Sequence, residues 1–105
     1  MEKTIDDMSP AEIAAGLQKA KALIDHPDKW VQYAYTLGDR ICSWRAMQQV
    51  TDDDFRKTDM LAAALVGTRS DAEGRVCDLN NSVTHDELMA RFDRAIAKQQ
   101  HLSGG

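Results

Sequence analysis

Apolar residues at Ile13, Leu17, Ala20 and Ile24 recur at helical spacing, while Gln18, Lys19 and Lys21 fall on the other side. The stretch opens on Ser9-Pro10-Ala11-Glu12, where Ser9 caps, Pro10 suits the first helical position and Glu12 closes a capping box. His26-Pro27 ends it, because a residue before proline avoids helical geometry. The pattern predicts a first helix over 10–25, preceded by eight frayed residues. Trp30–Thr36 and Ile41–Trp44 are rich in aromatic and β-branched residues and flank a Gly38-Asp39 turn, which predicts a hairpin. The alternation is imperfect, so a helix over Trp30–Thr36 is the competing expectation.

Farther along, Ser43 is placed to cap a short helix over Trp44–Val50. Thr51 is placed to cap another, with Asp52, Asp53 and Asp54 in the first turn, where carboxylates favour the positive end of the helix dipole. That helix runs to Val66, buries Phe55, Leu61, Ala62 and Leu65, and stops at Gly67. Residues 68–75 read as a polar loop, Val76–Leu79 as a brief extended segment, and Asn80-Asn81-Ser82 as a turn. Thr84 and Glu87 form a second capping box ahead of a last helix with Leu88, Phe92, Ala95 and Ile96 on its buried stripe. This helix is expected to fray near His101, leaving a flexible tail over 103–105. The expectation is a mainly α domain of about four helices around a small hairpin or extended segment, with α+β left open.

Composition narrows the class. With 105 residues the chain suits one domain, 1–105, and 43% hydrophobic with 29% charged residues excludes a disordered chain, a collagen-like repeat and a disulfide scaffold. Thirteen basic against seventeen acidic residues, net −4, show no basic stripe, so nucleic acid is an unlikely partner unless the fold gathers Arg69, Arg75, Arg91 and Arg94. The longest apolar run, Met60–Val66, falls far short of the roughly twenty residues of a membrane span. The opening Met-Glu-Lys-Thr-Ile-Asp-Asp lacks the pattern of a secretory signal, and the expectation is a cytoplasmic protein. A symmetric homodimer is left open.

The candidate chemistry is sparse. Cys42 and Cys77 lie far apart in sequence, their expected state is two free thiols, and with His26, His85 and His101 they lack the close spacing of a zinc site. The Asp52–Asp54 run lacks the spaced ligands and glycine of a calcium loop, and the glycines make no phosphate loop, so no metal or cofactor is implied. An acyl-transfer set would join Cys42, placed before a helix start that favours thiolate, to His85 and Asn80 or Asn81. Against it, Ile41 and Trp44 beside Cys42 suggest a core residue, and His85 reads equally well as an exposed first-turn residue. Trp30, Tyr33, Tyr35 and Trp44 crowd one stretch beside Arg45, and these five are the candidate binding residues. The same aromatics serve a small domain's core equally well. Met47, Met60 and Met89 read as core fillers.

Ala-x-x-Leu-Ile, Trp30-x-Gln-x-Ala, Gly38-x-x-x-Cys42-x-x-x-Ala46, Leu79-Asn80-Asn81 and Thr84-x-x-Glu-Leu-x-x-x-Phe-x-x-Ala95-Ile96 together resemble a bacterial and phage domain of unknown function (number 6197 in the domain catalogues). The resemblance spans most of 12–97. That pattern has Cys-x-x-Gly-Ala, where this chain carries Arg45 for the Gly, and a Trp-Asn-Asp segment, where it carries Leu79 and Asn81 for the Trp and Asp. Cys42, Asn80 and the capping Thr84 match. The resemblance implies a fold rather than an activity. With the acidity and small size, it favours a non-enzymatic accessory protein acting by protein–protein binding, in a phage or mobile-element setting that includes inhibition of a host defence complex. The alternatives are a Cys42-dependent thiol enzyme and a small-ligand or nucleotide binder using Trp30, Tyr33 and arginines.

Overall fold

The computed structural model describes residues 8–104. Five helices surround one core: α1 (Pro10–Leu23), α2 (Ser43–Val50), α3 (Phe55–Val66), α4 (Ala72–Ser82) and α5 (His85–Gly104). A two-stranded antiparallel hairpin, β1 (Thr36–Leu37) and β2 (Arg40–Ile41), pairs Thr36 with Ile41 and Leu37 with Arg40. α1 lies along α5 and also packs on α2 and α3, while α4 closes the far side against α3 and α2. The mainly α class and the small hairpin agree with the sequence pattern.

The first helix follows its sequence signals closely. Ser9 accepts from the Glu12 amide, Glu12 answers at the Ser9 amide at 2.8 Å, and Leu17, Ala20 and Ile24 are fully buried. Gly16 lets α1 approach α3 closely, since a Cβ there would sit 2.8 Å from Leu61 Cδ2. α5 carries the expected stripe, with Leu88, Phe92, Ala95 and Ile96 all buried. Thr84 and Glu87 cap it reciprocally (2.8 and 3.1 Å), and accepting from Thr84 holds the Glu87 carboxyl below the usual range. A carboxyl lowered by folding stabilises at neutral pH, and that contribution is lost as the pH falls through its folded value.

Several expectations are corrected. The extended pairing is only two residues per strand. Trp30 touches Ile41 through an isolated parallel bridge, and residues 31–35 are irregular rather than a strand or a helix. Cys42, not Ser43, caps α2, and Asp54, not Thr51, caps α3 by accepting from the Lys57 amide at 3.0 Å. Thr51 instead ends α2, and Asp52 and Asp53 turn the chain through left-handed backbone (φ 54° and 63°), which short polar side chains tolerate. The three carboxylates are thus a turn and a cap, not a first turn. Phe55 is 66% exposed rather than core. Gly67 ends α3 in the left-handed conformation, as its position suggests.

The largest departure is α4. The polar loop is only 68–71, and the expected strand Val76–Leu79 and turn Asn80–Ser82 are helical, giving five helices instead of four. Gly74, Asn80 and Asn81 are weak helix formers, but Ala72, Val76 and Asn80 repeat every four residues and form the buried face. Tertiary capture of Asn80 overrides local propensity. At the end of the chain α5 continues through His101 to Gly104, so the expected tail at Ser103 and Gly104 is helical; Gly105 and residues 1–7 lie outside the described residues. Met8 is half-buried and packs against the core.

Candidate functional site

One buried side chain organises the corner where α2, α4 and the 30–35 segment meet. Asn80 Oδ1 accepts from Trp30 Nε1 (2.6 Å), the Ser43 amide (3.0 Å) and the Ser43 hydroxyl (2.7 Å), while Nδ2 donates to the Val31 carbonyl (2.9 Å). Asn80 and Ser43 are essentially inaccessible to solvent, and burial makes each of these bonds costly to lose. No buried side-chain polar atom among the described residues lacks a partner.

The irregular 30–33 segment also answers a need of α4. The last carbonyls of a helix have no partner within it. Gln32 Nε2 donates to the carbonyls of Asn80 (3.1 Å) and Val83 (3.0 Å), and the Tyr33 hydroxyl donates to that of Asn81 (3.0 Å). Segment and helix end therefore specify each other. Sequence reading missed Gln32 as a structural residue, since nothing local shows that it caps a helix end some fifty residues away.

Above this corner the chain turns outward. Tyr33 adopts a left-handed backbone (φ 65°), unusual for a bulky residue, and its amide donates to Asn81 Oδ1 at 2.6 Å. Tyr33 and Asn81 are thus joined twice, through the amide and through the phenol. Tyr33, Tyr35 and Leu37 are all exposed, at 79%, 52% and 63%. The two tyrosines border a cleft of about 340 Å³ lined by Tyr33, Ala34, Tyr35, Cys42, Cys77, Asn80 and Asn81. The Tyr35 hydroxyl donates to Glu73 Oε2 at 3.1 Å, the main cause that pushes the phenol up to about 12 and keeps it protonated.

The aromatic group splits by depth. Trp44 is core, Trp30 is half-buried over Asn80, and the two tyrosines face solvent. Of the five candidate binding residues, Trp44 is therefore withdrawn into the core, and Arg45 is half-buried and held by Asp53 (2.8 Å) and Gln48 (3.3 Å).

Of the acyl-transfer set, Cys42 and Asn80 both border the cleft, but their polar atoms are committed elsewhere. Cys42 Sγ accepts from the Arg45 amide at 3.4 Å, and Asn80 is the hub of the corner. His85 Nε2 pairs with the Ile24 carbonyl at 2.7 Å, so that nitrogen carries the proton and closes the end of α1. Its ring leans on Trp30 with centroids 5.4 Å apart. The helix start does pull the Cys42 thiol down, but burial outweighs it and the thiol lies above its ordinary value. This runs against the helix-start expectation of a Cys42 thiolate, and burial likewise pushes the Cys77 thiol up. Iodoacetamide at pH 7 is therefore expected to modify half-exposed Cys77 before buried Cys42, and both more slowly than free cysteine, with rates rising toward alkaline pH. Peptide mass mapping of a time course checks this; Cys42 reacting first, or faster than free cysteine, would restore the nucleophile.

No group of three or more metal-ligating side chains and no helix long and apolar enough to cross a membrane occurs among the described residues. The chain matches no family model, no curated protein and no solved structure.

Proposed function

We propose that this chain is a binding module that recognises another protein through Tyr33, Tyr35, Leu37 and the cleft that the tyrosines border. The observation that carries this reading is Tyr33. Its backbone conformation costs of order 1–3 kcal/mol, yet its ring gains little burial in return. An aromatic held rigidly in solvent loses little conformational freedom when a partner covers it, and tyrosine is a favoured interface anchor for that reason. The fold supplies the rigidity through Asn81 and, beneath it, the Asn80 hub.

The resemblance to the bacterial and phage domain supports an accessory role in which the partner is a host complex, a defence complex included. Quantitative pull-down from host lysate with the tagged chain and with its Tyr33→Ala/Leu37→Asp variant tests the face. One stoichiometric partner is expected, depleted at least about tenfold by the variant, as for loss of an interface hot spot. A partner retained equally by the variant would move the interface elsewhere on the molecule.

A further inference from the structure

The cleft bordered by Tyr33 and Tyr35 has a chemistry of its own, and its assignment to a ligand rests on that face being the binding face. Its volume of about 340 Å³ sits at the low end for ligand sites, enough for one long side chain rather than a large cofactor. Two tyrosines line it, and none of its lining residues is a lysine or an arginine. A carboxylate stands at its edge: Glu73, which accepts from the Tyr35 phenol. A phenol that donates to a carboxylate has a more electron-rich ring, which favours a cation over its face. Beyond burial, the Cys42 sulfur and then the negative charges of Glu73 and Asp78 push the Cys77 thiol up, while a hydrogen bond with Tyr35 pulls it down. The Arg45 guanidinium, which acts on Cys42, is itself paired with Asp53.

We infer that the cleft receives an arginine side chain of the partner, its guanidinium stacked against the tyrosine rings and paired with Glu73. Arginine fits better than lysine because its planar, weakly hydrated head stacks on aromatic faces and offers a fork of donors to a carboxylate. Asn81 also lines the cleft, its Oδ1 already accepting from the Tyr33 amide (2.6 Å) and Asn80 Nδ2 (3.5 Å).

The test is a titration of the isotope-labelled chain, followed by amide chemical shifts, with three capped pentapeptides that carry arginine, lysine or norleucine between alanines. The arginine peptide is expected to shift residues 33–35 and 77–81, to bind at least about fivefold tighter than the norleucine peptide, and to weaken as salt is raised. Glu73→Gln, checked for an intact spectrum, should bring arginine and norleucine within about twofold of each other. If norleucine binds the cleft as well as arginine, an apolar docking face survives and the arginine assignment fails. Lysine binding as tightly as arginine would also overturn the assignment, since stacking would then contribute nothing. Shifts scattered over other acidic residues would reduce the effect to general charge attraction and refute it. If none of the three peptides shifts the cleft at about 10 mM, the binding face falls with the inference.

Discussion

Asn80→Ala is expected to lower the stability of the fold by about 3–4 kcal/mol. The substitution removes one amide and strands four groups: the Trp30 indole N–H, the Ser43 amide, the Ser43 hydroxyl and the Val31 carbonyl. Each buried group left without a partner costs about 1–3 kcal/mol, but the Ser43 hydroxyl can rotate to a new acceptor and Trp30 is only half-buried, so the sum is well below four full penalties. Urea denaturation followed by tryptophan fluorescence gives the number directly; a loss under about 1 kcal/mol would mean that the corner is held by packing alone. The near-isosteric Asn80→Asp separates the two faces of the amide. It keeps the acceptors for Trp30 and Ser43 but sets a carboxylate oxygen against the Val31 carbonyl. The buried carboxyl is then raised above its unfolded value, so this variant is expected to be weakest at neutral pH and to recover as the pH falls, when a protonated oxygen can donate to Val31.

The same residue shows where sequence reading works and where it stops. The caps of α1 and α5 and their apolar stripes are local patterns, and Ser9, Glu12, Thr84, Glu87, Leu17 and Phe92 take the places those patterns assign. The α4 helix is not local. Its face is Ala72, Val76 and Asn80, and a polar residue in the third position hides a helical repeat that an apolar one would reveal. Asn80 counts as buried only because Trp30 and Ser43, far away in sequence, satisfy it. The candidate cleft depends on that long-range bonding, so its members are visible in the sequence as residue types and not as a site. Trp30, Cys42, Asn80 and Thr84 are, respectively, a donor to the hub, the cap of α2, the hub itself and the cap of α5. The polar atoms of Cys42, Asn80 and His85 are likewise taken up by structural bonds.

The two phenylalanines make the sharpest test of the core. By sequence both Phe55 and Phe92 fall on apolar stripes, and both are expected to be buried. The structure separates them: Phe92 is wholly enclosed where α5 packs along α1, and Phe55 sits in the first turn of α3, two-thirds exposed. The difference comes from the preceding turn. With Asp52 and Asp53 left-handed and Asp54 as the cap, α3 begins at Phe55, and its inward face is set by Thr58, Leu61, Ala62 and Leu65. Phe55 lies three residues before Thr58 and seven before Ala62, so helical spacing alone would bury it; it is exposed as the first residue of the helix, while Thr58 is drawn in by bonds to the Asp54 carbonyl (2.8 Å) and the Thr51 hydroxyl (2.6 Å). Phe92→Ala is therefore expected to cost about 3–5 kcal/mol, from lost burial and the cavity left behind, whereas Phe55→Ala should change stability by less than about 0.5 kcal/mol. Paired urea titrations at one pH decide the matter. Equal losses would place both rings in the core and overturn the α3 cap. A tenfold weaker partner capture by Phe55→Ala with unchanged stability would extend the binding surface beyond the tyrosine face to the start of α3.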